Sequence, residues 1–150
     1  MLGIDPGERR LGLAVTDELG LMAHPRPIMP SGPQAVEQIA ALVAREKIEQ
    51  VVVGLPIRTT GVEGPEAQAA RQFAADLAEQ VACPVVMWDE RLTTVQAKSM
   101  LREQGRLQAG RKGGIDSLAA AVMLQAYLDR SRRRDQDKTV PDGKDGGING

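Results

Sequence analysis

Leu2-Gly-Ile-Asp-Pro-Gly-Glu-Arg-Arg-Leu-Gly-Leu-Ala-Val-Thr16 reads as two short apolar runs parted by a polar turn. Leu2–Asp5 is cut by Pro6-Gly7, the pattern of a buried strand that ends in a turn. Leu11–Thr16 is a second strand. Leu19–Met22, extended as far as Ile28, is a third, and the short spacing of the three predicts antiparallel hairpins.

Beyond this stretch strands and helices alternate. Gly32-Pro33 opens a helix with Val36, Ile39, Ala40 and Val43 on one stripe, ending near Lys47. Val51-Val-Val-Gly54 is a buried strand, and a Pro/Gly-rich loop runs from Leu55 to Gly64. Ala70, Phe73, Ala74, Leu77 and Val81 recur at helical spacing. Pro84–Trp88 is another buried strand, stopping at Asp89-Glu-Arg91. Thr93-Thr-Val-Gln96 has the form of a capping box and predicts a helix to about Gln104. Gly105–Gly114 is a loop. A last helix spans about Asp116–Asp129, with Ile115, Leu118, Ala119, Val122 and Ala126 on its buried side. Hairpins followed by strands separated by helices predict an α/β fold with a mixed sheet.

Composition narrows the chemistry. The chain has 150 residues, one domain's worth, with one Trp, one Tyr, one Phe, one His and one Cys. A lone Cys makes no internal disulfide, and one Cys with one His does not complete a structural zinc site. A nucleophilic triad would rest on His24, which sits in His24-Pro-Arg-Pro27 with no acid nearby; it reads as a surface or structural residue. Cys83 reads as a small core residue, and Trp88 as core packing before base stacking. Three scattered aromatics do not make a base-stacking surface. Carboxylates are abundant, with 20 Asp+Glu against 19 Lys+Arg. No membrane span or signal peptide is expected, and the reading is cytoplasmic. Residues 1–129 read as the folded domain. Residues 130–150 are polar and Gly/Asp-rich, and are expected to form a disordered tail. Arg130, Arg132, Arg133 and Arg134 near its start suit either a nucleic-acid contact or a solvated helix end.

Three acids stand at element ends: Asp5 closing the first strand, Glu90 just after the strand ending at Trp88, and Asp116 opening the last helix. Parallel neighbouring strands would bring Asp5 and Glu90 to one sheet edge, with the Asp116 helix start facing them. Such a set is a hard-oxygen cage suited to Mg²⁺ or Mn²⁺. Plainer roles stay open for each: Asp5 as a turn residue, Asp116 as an N-cap, Glu90 as partner of Arg91 or another surface cation.

Gly3-Ile-Asp-Pro-Gly7 with Arg10-Leu-Gly-Leu-Ala-Val-Thr-Asp17, Val53-Gly-Leu-Pro56 with Gly61 and Gly64, Asp89-Glu-Arg-Leu-Thr-Thr94, and Ile115-Asp-Ser-Leu-Ala-Ala120 occur in this order. Together they resemble the YqgF/RuvX family of pre-16S rRNA nucleases, relatives of RuvC-type Holliday junction resolvases. The resemblance covers Leu2 to about Asp129. It implies an RNase H-like fold, helices on both faces of the sheet, and a metal-dependent nuclease site with Asp5, Glu90 and Asp116 as catalytic carboxylates and metal ligands. One departure stands out: RuvC-type resolvases carry a fourth acid one helical turn before the last, where this chain has Gly113.

The remaining candidates concern substrate. Arg9 and Arg10 in the first hairpin, Arg91 beside Glu90, and the loop bearing Arg102, Arg106, Arg111 and Lys112 are candidate phosphate contacts. Gly7 and Gly12 leave room for a backbone, Gly7 equally serving its turn. Pro56 and Gly61 belong to a loop suited to substrate. The leading reading is a two-metal endonuclease maturing the 5′ end of pre-16S rRNA. A Holliday junction or branched-DNA resolvase, which requires a homodimer, and a non-catalytic RNA-binding or transcription-associated module are the alternatives.

Overall fold

The computed structural model describes residues 1–99, 103 and 114–139, without the side chains of 114–116 and 136–139. Its strands are β1 (Leu2–Pro6), β2 (Arg10–Thr16), β3 (Ala23–Pro30), β4 (Val51–Leu55) and β5 (Val85–Asp89). They form one sheet in the order β3-β2-β1-β4-β5. β1 pairs antiparallel with β2, and β2 with β3, whereas β4 runs parallel to both β1 and β5. The expected mixed sheet is present.

The third strand starts later than expected. Leu19–Met22 is the hairpin turn, not the strand, and Leu19 is 80 % exposed. Asp17 decides this: its carboxylate accepts from the Leu21 N–H at 2.8 Å, its carbonyl from the Gly20 N–H at 3.0 Å, and its own N–H donates to the Met22 carbonyl at 3.0 Å. Gly20 supplies the left-handed step, with φ 68°. Pro25, Pro27 and Pro30 lie in β3, which is an edge strand and tolerates missing N–H donors.

α1 (Ala35–Arg45) and α2 (Pro65–Gln80) cover one face of the sheet. α1 buries Ala35, Ile39, Leu42 and Val43. It ends where Lys47 turns left-handed (φ 55°) and the Ile48 N–H reaches back to the Val43 carbonyl at 3.0 Å. α2 opens with Pro65 in its first turn and buries Ala67, Ala70, Ala74 and Leu77. Phe73, expected on that stripe, is half-buried.

After β5 come a single 3₁₀ turn (Glu90–Leu92) and a helical stretch at residues 95–99, here α3. Its cap is Thr94 rather than the expected Thr93: Thr94 Oγ1 accepts from the Ala97 N–H at 3.1 Å. Thr93 Oγ1 instead accepts from the indole N–H of Trp88 at 3.2 Å, so Thr93 is not free to cap.

α4 (Gly114–Thr139) covers the other face. Its buried side is Ser117, Ala120, Ala121, Leu124 and Leu128 with Val122 and Met123, whereas Leu118 is half-buried and Ala119 exposed. The expected stripe was turned, because the helix meets β1 and β2 through small residues. Gly3 lies under it, where an added Cβ would stand 2.9 Å from Leu124 Cβ. α4 also runs past Asp129. Residues 130–139, expected within a disordered tail, are helical, and 140–150 lie outside the described residues. Among the described residues no helix is long and apolar enough to cross a membrane.

Candidate active site

Side chains alternate along β1, so Leu2 and Ile4 enter the α1/α2 core while Gly3 and Asp5 face α4. Glu90 follows β5 and opens the 3₁₀ turn. β1 and β5 are not neighbours as expected: β4 lies between them. Ile4 is level with Val53, which puts Asp5 beside Gly54, and Gly54 is level with Trp88. The two carboxylates meet because the intervening strand has no side chain at that point. A Cβ on Gly54 would stand 2.6 Å from Glu90 Oε1 and 2.8 Å from Met123 Sδ.

Asp5 and Glu90 share a hydrogen bond, and both are half-buried. Burial, then that bond, then the charge of Asp5 push the Glu90 carboxyl up to about 8, and the charge of Lys98 opposes the rise. The pair lines two pockets. The smaller, about 350 Å³, is lined by Asp5, Glu90, Thr93, Lys98 and the α4 residues Leu118 and Val122. The larger, about 690 Å³, lies on the α2 side and includes Gly7, Pro56 and Phe73 with the same two carboxylates.

The third candidate acid, Asp116, stands in the first turn of α4, and its side chain lies outside the described residues. Its neighbour Ser117 is 1 % exposed. The Ser117 hydroxyl donates to the Arg26 carbonyl and accepts from the Leu13 N–H at 3.5 Å, tying the start of α4 to β2 and β3. Among the described residues no group of three or more His, Cys, Asp or Glu side chains is placed to hold a metal.

Arg9 and Arg10 are exposed at the β1–β2 turn. Gly7 closes that turn: an added Cβ would stand 2.5 Å from the Arg10 carbonyl oxygen. The Arg91 guanidinium forks onto Asp89 (Nη2 to Oδ2 2.7 Å) and holds that carboxyl below the usual carboxylate range. Gly61 (φ 89°) closes a turn by donating to the Arg58 carbonyl at 2.8 Å, and an added Cβ there would stand 3.8 Å from Arg91 Nη1. Arg102, Arg106, Arg111, Lys112 and Gly113 lie outside the described residues. Trp88 is 6 % exposed and meets Tyr127 edge to face at 5.9 Å, so it packs in the core.

Sequence reasoning assigned no role to Gly54, Lys98 or Ser117. A glycine inside a β-branched run is a legible sign of close approach, and a serine beside Asp116 at the helix start is a weaker sign. Lys98 gives no local signal, because only the packing of α3 brings it to the pocket.

The chain is 46% identical over 134 residues to a Chloroflexus aggregans protein named pre-16S rRNA nuclease, covering 88% of this chain and 94% of that one. A Chloroflexus aurantiacus protein of the same name is 42% identical over 134 residues, covering 88% of each. Among solved structures, Thermus thermophilus RuvC in complex with a Holliday junction substrate shares the fold, with TM-score 0.54 and 22% identity over 87% of this chain and 96% of that one. The family profile described as RuvX, Holliday junction resolvase, matches residues 1–130, a span that holds both carboxylates and the sheet that joins them; the chain belongs to the RuvX family.

Proposed function

We propose that this chain is a metal-dependent endonuclease that hydrolyses phosphodiester bonds of structured RNA in 5′-end maturation of pre-16S rRNA. The observation that carries the reading is the Asp5–Glu90 pair held over Gly54, with the Glu90 carboxyl pushed up to about 8. Two carboxylates in contact form an all-oxygen donor set whose mutual repulsion is relieved by a proton or by a hard divalent cation. Asp5, Glu90 and Asp116 are the residues that would hold Mg²⁺ or Mn²⁺, which when bound supplies a lowered water pKa and charge neutralisation at the scissile phosphate.

The chain's own groups supply the setting. Gly54 leaves the volume that the carboxylates occupy. Lys98 offers an ammonium to a phosphate in the smaller pocket, and Thr93 lines the same pocket. Arg9, Arg10 and Arg91 serve as phosphate contacts on the approach, with Arg106, Arg111 and Lys112 extending them. Gly7, Pro56 and Gly61 form the substrate loops, two of them bordering the larger pocket. The names of the relatives support RNA as substrate.

The family's description as Holliday junction resolvase favours a second reading, cleavage of branched DNA at the same site. Two symmetric cuts require a homodimer. Both readings are tested in one gel, with labelled pre-16S rRNA, plain single strands and four-way DNA junctions, each with Mg²⁺ or Mn²⁺. Asp5→Asn and Asp116→Asn are each expected to lower kcat/KM by about 10³-fold or more, roughly 4 kcal/mol. Cleavage that survives both substitutions, or absent with either metal, refutes the nuclease. The preferred substrate separates the readings, and a strict monomer on size exclusion counts against the resolvase.

A further inference from the structure

The arginine run of α4 divides by direction. Arg132 donates to the Gly20 carbonyl at 3.1 Å and to the Leu21 carbonyl, pinning the β2–β3 turn. Arg130, Arg133 and Arg134 instead line a pocket of about 390 Å³, with Thr94 and Ala97 of the α3 segment in its wall. None of these three forms an ion pair among the described residues. Among the described residues the one acid in the same wall, Asp129, accepts from Gln125 at 3.2 Å. Nor do the three sit in the helix's last turn, since α4 continues to Thr139. The dipole reading of the cluster, which needs a helix end there, does not apply.

This pocket and the smaller carboxylate pocket lie between the same two elements. One is walled by Thr93 and Lys98 with Leu118 and Val122, the other by Thr94 and Ala97 with Ala126 and Arg130. They follow one another along the same side of α4. From Val122 to Arg134 the helix advances about 18 Å at about 1.5 Å per residue. Among the described residues lining the two pockets the one aromatic, Trp88, is buried, so they offer cations to a backbone rather than rings to bases.

We propose that Arg130, Arg133 and Arg134 form a second phosphate-binding site that anchors the polynucleotide backbone about 18 Å along α4 from the carboxylate pocket. The inference rests on reading the carboxylate pair as the cleavage site for that same strand. Guanidinium–phosphate contacts do not involve the 2′-hydroxyl, so the anchor takes RNA and DNA strands alike.

The test is fluorescence anisotropy with the full chain, in EDTA, using labelled single strands of 4 and 8 nucleotides in RNA and DNA arms. The wild type is expected to gain about 10-fold or more in affinity from the shorter strand to the longer. Arg130→Gln/Arg133→Gln/Arg134→Gln is expected to lose most of that gain and to lower the slope of log K against log salt by about 2, some 0.7 for each single-strand contact. The triple Arg→Lys variant is expected to keep the slope, which separates lost charge from lost folding. An equal length gain in wild type and the Gln variant, or an unchanged slope, overturns the anchor, as does an effect confined to one of the two nucleic acids. Because the readout needs no cleavage, a wild type that shows the length gain yet never cuts refutes the nuclease and leaves the anchor standing. Cleavage without the length gain does the reverse.

Discussion

On the α1/α2 face the sheet presents Leu2, Ile4, Leu11, Leu13, Val51 and Val53, whereas on the α4 face its central strands present Gly3, Ala14, Val52 and Gly54, with Val86 and Trp88 only on the edge strand β5. The first face is filled by volume: branched side chains interlock with Ile39, Leu42 and Leu77. The second is built by close approach, with Ala120, Ala121 and Leu124 brought down onto glycine. The carboxylates stand on the second face. At Gly54 the second face has no side chain, which leaves the space that the end of Glu90 occupies beside Asp5, and α4 closes over part of it. Both faces bury a core, and it is the missing side chain at Gly54 that lets Asp5 and Glu90 meet.

The contrast is broken first from the filled side. Leu77 is fully buried, and Leu77→Ala is expected to cost about 2–5 kcal/mol of unfolding free energy by urea titration, with kcat of the folded fraction unchanged. A comparable fall in kcat would show that the two faces are not separable.

On the site side the expected damage is catalytic. In Gly54→Ala the new methyl meets the ends of two flexible side chains, Glu90 and Met123, so the carboxylate gives way rather than the backbone. About 10²-fold loss of kcat/KM is expected, with little change in Tm. Gly3→Ala is the counterpart on the same face away from the acids. Its methyl meets the Leu124 Cβ, which is anchored to the helix, so the loss is expected in stability, about 1–3 kcal/mol. A Gly54→Ala enzyme of full activity would refute the close-approach account of the site.

The smallest effect concerns pH. A carboxyl raised to about 8 in the folded chain and titrating near 4.5 when unfolded binds more protons folded than unfolded between those values. Its contribution to stability is therefore greatest below 4.5 and falls as pH rises towards 8. In EDTA, the urea midpoint of wild type relative to Glu90→Gln should drop from pH 5 to pH 8.5. The drop is modest because Glu90 is partly solvent-screened. A relative midpoint that stays level or rises would contradict the raised Glu90 carboxyl and with it the burial and the shared hydrogen bond with Asp5 that raise it.

Much of this was legible from local pattern. The β-branched run at Val51–Val53 and the helical stripe through Ala70, Ala74 and Leu77 follow from pattern alone, because an unbroken apolar run marks a strand buried on both faces and a helical period marks the one face a helix buries. Asp5 and Glu90 were visible as acids at strand ends. The Leu19–Met22 turn was misread because its apolar residues suggest a strand, while one Asp17 carboxylate and a left-handed Gly20 settle the turn. The buried stripe of α4 was misread because small residues mark it, and alanine carries little periodic contrast.

By itself the sequence determined the order of strands and helices, the all-carboxylate chemistry and the family pattern, since these are local properties of residue type and spacing. Only the tertiary structure decided that β4 lies between β1 and β5, that Gly54 is therefore the floor between Asp5 and Glu90, that Arg91 is held by Asp89, and that three of the four α4 arginines line one pocket. The physical reason is that strand order and helix rotation are set by which surfaces are removed from water together, and that is a property of pairs of elements rather than of any one of them.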